Sequence, residues 1–249
     1  MLLENKVAVL YGAGGPIGGA VARAFAREGA RVHLAGRTAK KLDELADEIR
    51  AENGVAEPAV VDALDERAVD TYVDGVAARE GRIDISFNVI GYGDVQQPLT
   101  EITVGDFLQP ITNAMRSQFL TTRAAARHMT RRGSGVILAF GGGGPQTLPG
   151  LGGFKSALDA LEGLRRQWAV ELGPHGIRVV TLKTGGVPQT LPAEFDGAQE
   201  IIASIERETL LGRAATLNDV GDVAAFVASD KARTLTSTDV NISCGAMVD

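Results

Sequence analysis

A glycine-rich turn between an apolar run and a helical pattern constrains this chain more than any other feature of its sequence. Residues 7–10 are a short apolar run, Gly12, Gly15 and Gly18 follow, and apolar residues recur at helical spacing from Ile17 onward. Glycines let the backbone turn tightly and approach a ligand, while the first turn of a helix offers unpaired N–H groups to an anion. The pattern therefore predicts a strand, a turn and a helix that together bind a diphosphate.

The same alternation of apolar runs and helical stripes continues to the end of the chain. It is typical of βαβ units, in which helices cover both faces of a parallel sheet. We therefore predict a three-layer α/β fold built on a doubly wound parallel sheet of about seven strands. We expect one domain over residues 1–249, with a lid-like helical excursion at about residues 190–212. The predicted strands lie at residues 7–10, 32–35, 59–61, 83–88, 136–140, 177–182 and 240–242.

Composition and charge argue against several classes of partner. The formal net charge is −6, and the 25 basic residues are scattered along helical stretches, so we expect no nucleic acid partner. No apolar run approaches the roughly 18 residues that a membrane span needs. The single cysteine, Cys244, fits a reducing cytoplasm, and we expect no metal site. The sequence thus predicts a cytoplasmic protein whose partner is a small-molecule substrate.

Two polar residues follow the predicted second and third strands. Arg37 stands where a site for NAD(H) would present a carboxylate to the ribose hydroxyls, and its guanidinium suits a 2′-phosphate instead. The expected cofactor is therefore NADP(H), in preference to NAD(H). A solvated arginine at a helix start is the other interpretation of Arg37. Asp62 is a candidate acceptor for an adenine amino group, and a helix cap is its alternative role.

Together with three further segments, these residues resemble the short-chain dehydrogenase/reductase family over nearly the whole chain. Residues 88–91 are similar to the family's N-N-A-G segment. Residues 155–161 resemble the helix that carries the family's active-site lysine, here Lys155, and residues 171–179 resemble the family's segment after that helix. The resemblance implies a Rossmann fold and an NAD(P)(H)-dependent oxidoreductase.

The resemblance also implies which residues hold the dinucleotide and which surfaces join subunits. The implied cofactor-binding residues are Gly12, Gly15, Ile17, Gly18, Arg37, Asp62, Ala63, Asn88, Gly91, Lys155, Val187 and Thr190. Members of the family usually form tetramers through paired long helices, so a homotetramer or a homodimer is expected. The candidate contacts on the long helix are Leu158, Leu161, Leu164 and Trp168.

Most of the groups that carry out the family's chemistry have no counterpart in this sequence. The family's tyrosine lies four residues before its lysine, a position that Leu151 occupies, and its serine should fall near Gly141 or Gly142. The asparagine of its proton relay aligns with Ala114, one residue after Asn113. A positioned proton donor is worth about 10²–10⁴ in rate, so the reduction of ordinary ketones should be severely impaired.

Lys155 and Tyr92 are the remaining catalytic candidates. Lys155 would hold the nicotinamide ribose and add positive charge beside the cofactor. Tyr92 directly follows Gly91 on a loop that should border the pocket, which makes it a candidate replacement for the missing proton donor. An aromatic wall of the substrate pocket is the other interpretation of Tyr92.

Three functions fit these features. The first is hydride transfer to a C=N, activated C=C or C=O bond by an oxidoreductase with an atypical active site. A substrate that is already cationic, such as an iminium, would need only the hydride. The second is a catalytically inactive protein that binds or senses NADP(H), and the third is a non-redox lyase or isomerase that reuses the pocket. We rank the first highest because the residues expected to bind the dinucleotide remain in place.

Overall fold

A parallel sheet of seven strands in the order β3-β2-β1-β4-β5-β6-β7 forms the centre of the protein in a computed structural model. The structure describes residues 1–141, 147–191 and 198–248. The strands are β1 (Val7–Tyr11), β2 (Arg31–Gly36), β3 (Val55–Val60), β4 (Ile85–Asn88), β5 (Gly135–Phe140), β6 (Ile177–Lys183) and β7 (Thr238–Asn241). The predicted doubly wound α/β fold is confirmed. The strand order reverses between β1 and β4, the point at which such sheets bind their ligands.

Helices cover both faces of the sheet and complete the three layers. On one face α1, α2 and α7 pack over a core that includes Phe25 and Leu42, and on the other α3, α4 and α5 pack over Val73, Leu120 and Ala169. No helix within the described ranges is long and apolar enough to cross a membrane. The helices are α1 (Pro16–Arg27), α2 (Ala39–Ala51), α3 (Glu66–Glu80), α4 (Val104–Arg132), α5 (Gly152–Leu172), α6 (Ala198–Arg207) and α7 (Leu217–Ala228).

The third strand is longer than its sequence pattern predicts. We expected residues 59–61, whereas β3 begins at Val55 and includes Glu57 and Pro58. β3 lies at the edge of the sheet, where a proline does not interrupt a second ladder of hydrogen bonds and a charged side chain reaches water. Polar residues therefore break the apolar pattern here without ending the strand.

The predicted helical excursion coincides with α6. A short 3₁₀ turn, Pro188–Thr190, precedes α6, while residues 192–197 lie outside the described residues. Ile205 of α6 approaches the loop after β6, since its Cδ1 lies 3.2 Å from the position that a Cβ on Gly186 would take. The role of this excursion as a lid stays a prediction.

Two glycines join the start of α1 to the end of β1. Gly12 has a φ of +79°, a conformation that residues with side chains rarely adopt, and a Cβ there would lie 2.7 Å from the carbonyl oxygen of Val89. A Cβ on Gly18 would lie only 2.2 Å from the carbonyl oxygen of Gly12. Neither position has room for a side chain. Glycine at both positions therefore allows the first turn of α1 to lie directly beyond the end of β1.

We predict that Gly18→Ala lowers the free energy of unfolding by about 1–3 kcal/mol, the usual cost of overpacking a rigid site. Gly163 is the matched control, because it lies inside helix α5, is exposed and has no heavy atom within 4 Å of the position of a Cβ. Gly163→Ala should raise the free energy of unfolding by about 0.5–1 kcal/mol. Urea unfolding measures both variants, and equal effects would contradict the close contact at Gly18.

Candidate functional site

A cavity of about 550 Å³ opens at the carboxyl ends of the strands around the β1/β4 reversal. Its wall is built by the loops that follow β1, β2, β3 and β4, together with Gln109 and Asn113 of α4. Carboxyl ends of neighbouring parallel strands meet at one edge, which is why loops distant in sequence converge there. The expected cofactor-binding residues in this wall are Gly12, Gly15, Arg37, Asp62, Ala63 and Gly91.

The glycine turn and the start of α1 form one part of the cavity. Gly15 is the N-cap of α1, Pro16 takes the first helical position, no side chain caps the helix, and its first turn has no acidic residue. Pro16 has no N–H group, so the unpaired first-turn amides are those of Ile17 and Gly18. Ile17 and Gly18 are not among the described wall residues, but they follow within three positions of Gly15, which is. Their N–H groups and the partial positive charge of the helix end suit a diphosphate.

Two cationic side chains and a carboxylate line the cavity beyond β2 and β3. Arg37 follows β2, and Lys41 lies in the first turn of α2. The Cβ of Lys41 is 3.2 Å from the position that a Cβ on Gly14 would take, so α2 begins close to the glycine turn. Asp62 is exposed, and its Oδ1 accepts a hydrogen bond from the backbone N–H of Leu64 at 3.0 Å. The sequence interpretation missed Lys41, although its spacing four residues after Arg37 at a helix start was visible.

Asn88 supports the loop after β4 from below the cavity. It is buried, its Nδ2 donates to Oγ1 of Thr121 at 3.0 Å, and its Oδ1 accepts from the N–H of Ile90 at 3.2 Å. Ile90 and Gly91 line the cavity, whereas Asn88 is not part of the described wall. Asn88 thus positions the loop that touches the ligand space.

Tyr92 is buried between α4 and α5, and its side chain is not part of the described cavity wall. Its hydroxyl accepts a hydrogen bond from Nε2 of Gln118 at 3.4 Å, and its backbone oxygen accepts one from Nδ2 of Asn113 at 2.8 Å. Burial raises the pKa of the Tyr92 hydroxyl to about 12. A phenol with a raised pKa on an interior amide is a poor proton donor, so this placement favours a packing role for Tyr92.

Lys155, on helix α5, is not among the residues of the described cavity wall. The Nζ atom of Lys155 lies 2.5 Å from Oδ2 of Asp159, one turn further along the same helix. The α5 residues buried with Tyr92 are Ala157 and Leu161, and Phe154 and Leu158 pack at the edge of the same cluster. Cδ2 of Leu158 lies 3.0 Å from the position that a Cβ on Gly141 would take, at the end of β5. This geometry favours a surface ion pair for Lys155 over contact with a cofactor.

The remaining expected positions lie away from the described cavity wall. Val187 is buried in the core, and Oγ1 of Thr190 donates to the carbonyl oxygen of Val187 at 2.8 Å. Leu151 is the N-cap residue of α5, and Gly142 lies outside the described residues. Among the residues that the structure describes, no group of three or more histidine, cysteine, aspartate and glutamate side chains could hold a metal ion.

Comparison with known proteins places this architecture in a large group of enzymes. A sequence model described as Enoyl-(Acyl carrier protein) reductase matches residues 12–247. An uncharacterized oxidoreductase of Bacillus subtilis, YxbG, is 31% identical over 251 residues, which cover 98% of this chain and 92% of the relative. The similarity therefore extends over the full sheet and the cavity.

Solved structures share the same fold. A Beutenbergia cavernae protein described as an NAD(P)-dependent gluconate 5-dehydrogenase, with NADP bound at low occupancy, is 30% identical and has a TM-score of 0.87. The match covers 98% of this chain and 97% of that one. The NAD⁺-bound structure of a xylitol dehydrogenase has a TM-score of 0.88 at 24% identity, with 98% and 100% of the two chains covered. Similar folds are thus found with either dinucleotide bound.

We predict that the ring of Tyr92 matters for stability and its hydroxyl does not. Tyr92→Phe should cost at most about 1 kcal/mol, because it removes one long hydrogen bond. Tyr92→Ala should cost about 3–5 kcal/mol, because it leaves a cavity between α4 and α5. Urea unfolding of both variants gives the comparison. A Phe variant as unstable as the Ala variant would show that the hydroxyl is essential.

Proposed function

The chain belongs to the short-chain dehydrogenase/reductase family of NAD(P)-dependent oxidoreductases, and from that premise we propose that it uses NADP(H) to oxidise or reduce a small molecule. The observation that carries the proposal is a cavity that joins an uncapped helix N-terminus to two cationic side chains, Arg37 and Lys41. A dinucleotide phosphorylated on its ribose has anionic groups at both of these points.

The diphosphate would bind at the start of α1. The N–H groups of Ile17 and Gly18 are the donors, and Gly12 and Gly15 leave the approach to them open because they have no side chains. A Cβ on Gly15 would meet no heavy atom closer than the oxygen of Gly12 at 3.4 Å, so the free space at Gly15 belongs to the cavity. An anion can therefore approach the backbone closely there.

The 2′-phosphate would bind between Arg37 and Lys41. Arginine presents a planar fork of donors and lysine a compact positive charge, so the pair can neutralise a phosphate dianion from two sides. The hydroxyls of an unphosphorylated ribose would leave both charges uncompensated. Asp62 and Ala63, which follow β3, would then border the adenine. This arrangement supports NADP(H) over NAD(H).

The bound nicotinamide would supply or accept a hydride, and the reducible bond would be C=N, activated C=C or C=O. The part of this chain is to bind and orient the two reactants, with Asn88 and Gly91 holding the loop beside them. The hydroxyl of Tyr92 is engaged by Gln118 and the ammonium of Lys155 by Asp159. We therefore assign neither of the two as a proton donor.

A second candidate function is the binding or sensing of NADP(H) without turnover. The pairing of Lys155 with Asp159 favours it, because that ammonium is then not free to contact a bound cofactor. In this case the dinucleotide would bind with the same preference for the 2′-phosphate, and no substrate would oxidise it.

We also propose that residues 1–249 act as one domain within a homotetramer or a homodimer, and that the protein is cytoplasmic. Phe119 of α4 is 49% exposed and Val170 of α5 is 74% exposed, which supports a contact between copies along these helices. Leu161 is buried within its own subunit, so it is not available as such a contact, whereas Leu164 and Trp168 are half-buried.

Removal of either cation should weaken NADPH binding selectively. We predict that Arg37→Ala and Lys41→Ala each raise the Kd of NADPH about 10-fold or more, since a hydrogen bond to a charged group is worth about 1.5–3 kcal/mol. The Kd of NADH should change by less than about twofold, because NADH has no phosphate for these side chains to bind. Titration of cofactor fluorescence measures both constants.

Two lysines serve as matched controls for this titration. Lys40 precedes Lys41, is exposed and lies 3.8 Å from Glu44 outside the cavity, so Lys40→Ala should leave the Kd of NADPH unchanged. Lys155→Ala should do the same. If Arg37→Ala and Lys41→Ala weakened NADH and NADPH equally, or neither, the 2′-phosphate site would be wrong. If no dinucleotide bound, the proposed function itself would be wrong.

A further inference from the structure

A second, smaller cavity of about 170 Å³ opens at the amino ends of the strands. Its wall includes Lys6 before β1, Asp84 before β4 and Arg178 near the start of β6, and the segment after α7 adds Asp230 and Arg233. We call it the amino-end cavity. The five residues of β1 separate it from the dinucleotide cavity by about 16 Å, at about 3.3 Å per residue. The two cavities are therefore separate sites.

The carboxylate of Asp84 is already compensated by its own neighbours. Its Oδ2 accepts hydrogen bonds from the backbone N–H of Val7 at 2.8 Å and from Nε of Arg82 at 2.7 Å. Its Oδ1 lies 2.5 Å from Nη2 of Arg82 and 3.4 Å from Nη1 of Arg132. Because two guanidinium groups surround this one carboxylate, Asp84 does not give the amino-end cavity a negative charge.

The guanidinium of Arg178 is fixed in place by uncharged groups. Its Nη2 donates to the carbonyl oxygens of Val227 at 2.8 Å and Ser229 at 3.1 Å, and its Nη1 donates to that of Leu235 at 3.2 Å. These bonds orient the guanidinium without neutralising it, since a carbonyl oxygen has no formal charge. Burial lowers the pKa of the Arg178 guanidinium, whereas the Asp230 carboxylate raises it. A bound anion would add to the effect of Asp230.

The other two cations of the wall differ in their pairing. Nζ of Lys6 lies 3.1 Å from Oδ2 of Asp230, whose side chain is 85% exposed, so this ion pair is open to water. Arg233 is exposed, and its guanidinium has no ion pair or hydrogen bond to any residue in the described ranges. Apart from Asp84, the described wall thus has three cationic side chains and one carboxylate. The wall has a surplus of two positive charges.

We propose that the amino-end cavity binds a phosphate group, either free phosphate or the phosphate of a small phosphorylated metabolite. A phosphate monoester has a charge of about −1.5 to −2 at pH 7, which matches the surplus of positive charge in the wall. The cavity volume of about 170 Å³ exceeds the roughly 30 Å³ that one water molecule occupies, so a group of several atoms can enter. The whole chain has a net charge of −6, so the attraction comes from this local group of cations.

Isothermal titration of the full chain with inorganic phosphate and with glycerol 3-phosphate tests the proposal. The protein carries Arg37→Ala and Lys41→Ala, which remove the cations of the dinucleotide cavity, and sodium chloride keeps the ionic strength constant. Both probes should bind saturably at one site. Binding of the monoester at least about threefold tighter than that of phosphate would identify a phosphorylated metabolite as the ligand, and binding of phosphate at least as tight would identify free phosphate.

Three substitutions in this background locate the binding. Arg233→Ala should weaken phosphate binding about 10-fold, because it removes a charge-assisted hydrogen bond. Asp230→Asn should tighten it about 3–5-fold, because it removes the competing carboxylate and releases Lys6. Lys231→Ala is the matched control, since Lys231 is an exposed cation two positions before Arg233 and is not part of the described wall. It should leave the affinity unchanged.

The opposite effects expected of Arg233→Ala and Asp230→Asn separate a phosphate site from general damage to the fold, which would weaken binding in both variants. Absence of saturable binding, equal losses in Arg233→Ala and Lys231→Ala, or unchanged binding in Asp230→Asn would each overturn the inference. None of these results depends on the dinucleotide, because the titrations contain none. Failure of NADPH to bind would remove the proposed function and leave the phosphate site standing.

Discussion

The contact between Gly18 and the carbonyl oxygen of Gly12 is the constraint on which the site depends. With 2.2 Å between that oxygen and the position of a Cβ on Gly18, only glycine lets α1 start directly beyond β1. The start of α1 thereby lies at the reversal of strand order, directly after Gly15 of the cavity wall. If the helix began one turn later, the amides of its first turn would lie away from the ligand space. Side chains that can bind a phosphate would not compensate for that.

Charge is distributed unevenly along the cleft that this contact opens. Arg37 and Lys41 line the part beside α2, while Val89 and Ile90 line the part beside β4 without charge. The first part suits an anionic nucleotide and the second suits an apolar group.

Local patterns predicted the parts of the molecule that depend on few residues. The glycine turn and Arg37 were assigned directly from their places after β1 and β2, and both lie in the cavity wall. Lys41 could not be assigned in this way, because its approach to Gly14 depends on where α2 begins. β3 was predicted too short because an edge strand tolerates Glu57 and Pro58, which pattern reasoning treats as breaks.

The sequence alone did not determine which face of α5 packs against Tyr92. Leu151 and Lys155 form one pair at the four-residue spacing, and Phe154 and Leu158 form another. The two pairs are three positions apart, so they differ by about 60° around the helix. Packing against Tyr92 decides between them and selects the face that carries Leu158. Tyr92 was likewise expected at the border of the pocket from its place after Gly91, whereas its ring fills the space beside Ala114.

A crystal structure of the protein grown with saturating NADPH shows directly whether α1 and the two cations bind the dinucleotide. We predict diphosphate oxygens about 3 Å from the backbone nitrogens of Ile17 and Gly18, and the 2′-phosphate between Arg37 and Lys41. A cavity that stays empty at saturating NADPH, or a dinucleotide bound with its 2′-phosphate away from both cations, would contradict it.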